Sequence, residues 1–315
     1  MSEVLSIGSL TLDLFFQDQS LTIKKNRFNL ALGGKYVVAS FNQGIGGGGG
    51  NVAVGLSRAG IKTALWSEIG EGGVSQLVRT RLEEEKVNTE ALVVRENLTN
   101  LSVILLSQKG ERTIINHRSH QSELVFGPKQ QQLIRNVKLL YLGNLPEVPL
   151  EARTEILSYA HQHGVKTFLN LGVKDCRQGL HKLKPLLANV NYFVINRYEL
   201  ADILAIAPNE IMPKMVDYRS KLFPDPHFVL IITDGEFGSY VQTEEAITHQ
   251  VAYRVDKVID STGAGDAFTS GFISGIYYHL PLRDCLRSGA RNSASVIAKI
   301  NAQDGLLFKR ELLNQ

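Results

Sequence analysis

Short runs of apolar and β-branched residues, each bounded by Gly, Asn or Asp, recur along the chain: Leu139-Leu140-Tyr141-Leu142, Thr167-Phe168-Leu169, Tyr192-Phe193-Val194-Ile195 and Phe228-Val229-Leu230-Ile231-Ile232. Each predicts a buried strand. Between them, Leu150 to His163 and Leu180 to Ala188 carry apolar residues at helical spacing. Strands that alternate with helices predict a layered α/β fold, a mostly parallel sheet flanked by helices. Its ligand site is expected outside the carboxyl ends of the strands.

Two segments, about 13–43 and 95–120, break this rhythm. In the second, Leu101-Ser102-Val103-Ile104-Leu105-Leu106 and Arg112-Thr113-Ile114-Ile115 flank Gln108-Lys109-Gly110-Glu111, the pattern of a hairpin. Antiparallel strands inserted into an α/β domain predict a small β-sheet. As a lid it would exclude water from an active site; as a sheet extension or dimer contact it would not. With no internal repeat and no long linker, residues 1–315 are expected to form one α/β domain.

Composition narrows the setting. At 315 residues, 43% hydrophobic and 21% charged, the chain can bury a large core without disulfide staples. Its net charge of +3, from 34 basic and 31 acidic residues in no like-charged block, argues against a nucleic-acid or membrane partner. Cys176 and Cys285 form no CxxC pair and fit a reducing compartment. The N-terminal sequence runs straight into Val4-Leu5-Ser6-Ile7 without a secretory pattern, so a cytoplasmic location is expected.

The chemistry concentrates at Val258-Ile259-Asp260-Ser261-Thr262-Gly263-Ala264-Gly265-Asp266-Ala267-Phe268. Small residues at 263–265 let backbone approach an anion closely, and the N–H groups that open a helix lack intrahelical partners at the positive end of its dipole. Asp266 then stands beside a bound phosphate, an arrangement suited to phosphoryl transfer. The same residues also read as a tight turn and an acidic helix cap. Gly44-Ile45-Gly46-Gly47-Gly48-Gly49-Gly50-Asn51 precedes a second helical stretch and formally fits a dinucleotide fingerprint, with Glu68 at the ribose position. A match inside a run of glycines carries little weight. No Walker A lysine motif and no HExxH zinc motif occurs.

With both glycine-rich elements in hand, the sequence resembles the ribokinase-like (pfkB) carbohydrate kinases over nearly its whole length. The first signature is similar at Gly46, Gly47, Gly49, Asn51, Ala53, Gly60 and Gly70, and the second at Asp260 through Gly271. Between them, Asn196-Arg197-Tyr198-Glu199 resembles an Asn-x-x-Glu motif and Thr233-Asp234-Gly235-Glu236-Phe237-Gly238 a Thr-x-Gly nucleotide loop. Locally the first also reads as a helix-start cap and the second as a turn.

The resemblance implies that Asp266 is the base accepting the proton of a substrate hydroxyl while amides of Gly263, Ala264 and Gly265 stabilise the transferring group. It implies ATP, with Asn196, Thr233, Gly235 and Gly238 along the nucleotide, and Mg²⁺ reached by Glu199 through water. A monovalent cation such as K⁺ is implied near Asp260 and Thr262, although Asn301 stands where relatives often have Gly. Asp13, Gly47 and Asn51 are implied to hold a neutral polyol. Gly48 replaces the lysine of the ribokinase Gly-Gly-Lys-Gly stretch, and Leu142-Gly143-Asn144 lacks an acid, so the acceptor need not be ribose. A small sugar carrying a hydroxymethyl group is the leading acceptor. A nucleoside facing Phe15, Phe16, Tyr36 and Phe41 is the alternative, and a non-catalytic sugar- or nucleotide-binding regulator a third reading. Arg112, His117 and Arg118 are either contacts to an acidic acceptor or solvated hairpin residues, and a homodimer could form through the lid.

Overall fold

Eight strands form the central sheet of the computed structural model, which describes residues 2–25, 27–96, 98–107, 111–118 and 124–314. In spatial order they are Ile247–Gln250, Ser239–Gln242, Val229–Thr233, Tyr192–Asn196, Lys166–Asn170, Leu139–Leu142, Val4–Ile7 and Thr63–Trp66. The six from Val229–Thr233 to Thr63–Trp66 are parallel; at the other edge Ser239–Gln242 runs antiparallel to them and Ile247–Gln250 antiparallel to it in turn. Four of these strands are the apolar runs singled out above.

Alternation along each strand feeds two cores. Leu5, Ile7, Leu140, Leu142, Phe193, Ile195, Leu230 and Ile232 face one side, packed by helices Leu150–Gln162 and Leu180–Leu187 through Ile156, Leu157, Leu183 and Leu186. Val4, Leu139, Tyr141, Val194 and Ile231 face the other, against Val52 and Leu56 of helix Gly48–Arg58 and Phe268 and Phe272 of helix Ala264–Tyr277. Such two-sided burial explains why the strands read as unbroken apolar runs. No helix among the described residues is long and apolar enough to cross a membrane.

The two segments outside the rhythm supply a separate four-stranded sheet in the order Arg112–His117, Leu101–Leu106, Thr11–Gln17, Ser40–Gly46. The expected hairpin is present as an antiparallel pair with Ile114 opposite Ile104; its connection at 108–110 lies outside the described residues, as do 119–123. Strand Thr11–Gln17 pairs antiparallel with Ser40–Gly46 but parallel with Leu101–Leu106. Its alternate residues divide the sheet. Phe15 joins Ile104 and Leu106 in a small cluster that packs on Ile300, whereas Phe16 pairs with Phe41 across the strands on the opposite face.

Candidate active site

Asp266 owes its position to two helices with glycine entries. Gly263 caps helix Ala264–Tyr277 at φ 74°, and a Cβ there would lie 2.4 Å from that of Ala302, so only glycine fits. The chain thereby turns so that Asp266 falls in the first helical turn, beside N–H groups without intrahelical partners. Across from it, Gly47 at φ 87° opens helix Gly48–Arg58, where a Cβ would come within 2.4 Å of the Ser9 carbonyl. Asn51 of that helix donates through Nδ2 to Asp266 Oδ2 at 2.8 Å. Its own Oδ1 accepts from Gln303 Nε2 at 3.0 Å.

The glycine run is not a dinucleotide cradle. The amides of Gly49 and Gly50 bind the Ser9 carbonyl at 3.1 and 3.2 Å, and that of Gly48 donates to Ser9 Oγ. The strand before the run belongs to the small sheet rather than the parallel one, and Glu68 pairs with Arg95 at 3.0 Å. Glycines here serve close packing of the helix start on the first strand–loop junction.

Asp13 sits on the small sheet's inner face, buried, with Thr11 Oγ1 donating to its Oδ1 at 3.0 Å. Any Cβ at Gly46 would overlap its carboxylate, at 2.0 Å from Oδ2, which accounts for that glycine. Burial pushes Asp13 above the ordinary carboxylate range, opposed by hydrogen bonds from Ser102 and Thr11 and by the charge of Arg118. Asp266 is raised by burial and by Asp13, with Asn51 pulling the other way. Glu199 is pushed up to about 7 by burial, outweighing its bonds to Asn196, with Asp202 and Asp266 adding to the rise. Burial is the first cause at each of the three, and among the described residues no group of three or more His, Cys, Asp or Glu side chains converges as a metal-ion site.

Asn196 and Glu199 form the helix-start cap that their spacing predicts. They form a capping box, Asn196 Oδ1 accepting from the Glu199 amide at 2.9 Å and Glu199 Oε2 from the Asn196 amide at 3.1 Å. Asn196 also lines a cleft of about 810 Å³ together with Thr233, Gly235, Gly238, Ala264 and Gly265. Arg197 pairs with Asp234, so the capping-box helix and the Thr233–Gly238 turn are clamped to each other. The apolar wall of this cleft, including Tyr253, Ala290 and Ile297, carries no motif and escapes sequence reading.

Asp260 is fully buried. Its Oδ1 accepts from the Thr262 amide at 2.9 Å, from Thr262 Oγ1 at 2.7 Å and from Arg112 Nη1 at 2.5 Å, while its Oδ2 has no hydrogen-bond partner among the described residues. An orphaned carboxylate oxygen at this position fits a monovalent cation. Asn301 takes the left-handed conformation, φ 67°, that glycine would supply there. Arg112 is therefore engaged with the protein rather than free for an acceptor. Arg118 lines a shallow pocket with Ser9, Thr11, Asn100 and Glu147, and His117 is exposed. The aromatic wall expected for a nucleoside does not assemble, since Phe15 faces one side of the small sheet, Phe16 and Phe41 the other, and Tyr36 bonds the Ala31 amide in an exposed loop.

Comparison with known proteins agrees with this geometry. The profile of the pfkB family carbohydrate kinases matches residues 1–308. A 5-dehydro-2-deoxygluconokinase of Bacillus thuringiensis (strain Al Hakam) is 20% identical over 98% of this chain and 93% of its own. The structure of Arabidopsis thaliana ribokinase complexed with ribose and ATP superposes with TM-score 0.83 at 18% identity, covering 99% of this chain and 97% of that one. A Burkholderia thailandensis nucleoside kinase in complex with inosine does so with TM-score 0.72 at 20% identity, covering 98% and 94%. The motifs, the fold and these relatives agree: the chain is a kinase and belongs to the pfkB family of carbohydrate kinases.

Proposed function

We propose that this kinase transfers the γ-phosphoryl group of ATP to a hydroxymethyl group of a small sugar, with Asp266 as general base. The observation that carries the reading is the placement of Asp266 in the first turn of helix Ala264–Tyr277, within hydrogen-bond reach of Asn51. The cleft lined by Asn196, Thr233, Gly235 and Gly238 would take the nucleotide, its phosphates directed at Ala264 and Gly265. Asp13 would accept hydrogen bonds from sugar hydroxyls, with Asn51 and the backbone of Gly47 beside it.

In the reaction, the acceptor hydroxyl aligns on the phosphorus, Asp266 receives its proton, and amides of Gly263, Ala264 and Gly265 stabilise the charge on the transferring group. A carboxylate raised by burial is a better base at neutral pH than a solvated one. Mg²⁺, held by phosphates and waters with Glu199 nearby, would supply charge neutralisation; a monovalent cation at Asp260 Oδ2 and Thr262 would shape the anion-hole loop. The small sheet would act as the lid of one α/β domain and, through its outer face, where Phe41 and Ile115 are 55% and 58% exposed, as a homodimer contact.

The test is ADP release from Mg·ATP against a panel of pentoses, hexoses, ketoses, sugar acids and nucleosides, with Asp266→Asn as control. Stimulation by a sugar, lost in the variant, is the expected result. Stimulation by nucleosides alone would replace the acceptor class, and wild-type turnover in Asp266→Asn would remove the base assignment.

A further inference from the structure

Gln303 is buried, 3% exposed, and 252 positions from Asn51 in sequence, yet the two amides meet at 3.0 Å. An amide side chain has one donating and one accepting end of nearly equal size. Gln303 Nε2 can only donate, so it selects the rotamer of Asn51 that turns Oδ1 toward itself and Nδ2 toward Asp266. The opposite rotamer would set an amide oxygen against the carboxylate and an NH₂ against an NH₂.

Gln303 is in turn held from both sides. Its backbone N–H donates to Asn301 Oδ1 at 2.8 Å, and its backbone carbonyl accepts from Arg58 Nη1 at 2.7 Å, as does that of Leu306 at 3.1 Å. Arg58 makes a two-pronged contact with Glu85, at 2.8 and 2.6 Å. Asn51 and Arg58 lie seven residues apart on helix Gly48–Arg58, hence on one face, and both grip the 301–306 loop.

We infer that Gln303 is a positioning residue for phosphoryl transfer, acting through Asn51 to keep a hydrogen-bond donor on Asp266. The inference rests on the proposed role of Asp266 as base. The donor matters because the carboxylates near Asp266 oppose its ionised form, Asp13 from the small sheet and Glu199 from helix Arg197–Leu204, while the phenol of Tyr141 in the buried strand Leu139–Leu142 is held protonated by burial first and by the nearby carboxylates second, and so supplies no positive charge. A carboxylate that loses a donor in such surroundings protonates at higher pH.

The experiment is the pH profile of kcat/KM for Gln303→Leu and Gln303→Glu beside the wild type and Asp266→Asn, with the KM for ATP and the Tm of each. Leucine removes the donor and frees Asn51 to turn. Glutamate accepts at neutral pH and draws the Asn51 NH₂ to itself, placing Oδ1 on Asp266. The acid limb is expected to rise by about one pH unit in the leucine variant and further in the glutamate variant, with the KM for ATP unchanged. Unmoved limbs in both variants, with activity falling only as Tm falls, overturn the inference. If neither variant folds, the wild type decides: the Asn51 side-chain NH₂ resonance should titrate with the acid limb, and a flat titration overturns the inference. Full turnover in Asp266→Asn would instead strike the base assignment.

Discussion

Arg112 is the side chain through which the small sheet reaches the loop before the anion hole, and Arg112→Gln is the perturbation that tests the contact. Its Nη1 lies 2.5 Å from Asp260 Oδ1 and 3.0 Å from Ser261 Oγ, with the Arg112 side chain 29% exposed and that of Asp260 wholly buried. Two unit charges about 4 Å apart at an effective dielectric near 20 attract by about 4 kcal/mol. Desolvation of Asp260 and partial exposure of Arg112 reduce the net to about 2 kcal/mol. The Thr262 amide and hydroxyl remain on Asp260 in the variant, so the loop should stay formed while the sheet loses its ionic tie. Under the lid reading this lowers acceptor kcat/KM by roughly 30-fold, with acceptor-independent ATP hydrolysis rising because water enters. The assay is a double-mutant cycle of Arg112→Gln and Asp260→Asn on kcat/KM, with the ATPase rate measured alongside. A coupling energy near 2 kcal/mol is expected; one below about 0.5 kcal/mol, with the ATPase rate unchanged, would refute the reasoning.

Gly263→Ala places a Cβ 2.4 Å from that of Ala302 at a φ of 74°, and should lower kcat by about 100-fold while nucleotide binding, followed by fluorescence titration, persists. Glu199, at about 7 in the folded protein against 4.5 ordinarily, binds its proton more tightly when folded, so its contribution is complete below about pH 4.5 and is lost as pH rises through 7. In magnesium-free buffer, denaturant unfolding should show wild type losing up to about 3 kcal/mol relative to Glu199→Gln across that window, and a gain instead would contradict the burial argument. Arg153 and Asp175, each 1% exposed, form a two-pronged pair at 2.6 and 2.7 Å, and neither lines the cleft around Asn196 and Thr233. Arg153→Met leaves a buried carboxylate alone and should cost about 3–5 kcal/mol in unfolding experiments, without altering the KM for ATP.

The central sheet was legible because strands such as Leu139–Leu142 and Val229–Thr233 are covered on both faces, which leaves a continuous apolar run in the sequence. The small sheet was legible as two segments and one hairpin, but nothing local in Thr11–Gln17 reveals that it lies parallel to Leu101–Leu106. Within the site, Gly47 and Gly263 announced themselves because left-handed backbone and close approach demand glycine. The partner of Arg112 lies 148 positions away and that of Gln303 lies 252 away, distances at which periodicity and spacing carry no signal. The Asn196–Glu199 pair shows the converse, a local cap whose spacing is readable and whose Asn196 also lines the cleft.

The carboxyl group of Asp266 is held by Asn51, made early in the chain's history, and Asn51 in turn by Gln303, made late. A polypeptide emerging from the ribosome can therefore pair its first six parallel strands, ending at Thr233, before Asp266 or Gln303 has been made. Under the proposed role of Asp266, activity would follow only once the loop around Gln303 has left the exit tunnel and docked between Asn51 and Arg58. Under the same proposed role, chains interrupted in the last stretch of translation would keep much of their sheet and turn over no nucleotide.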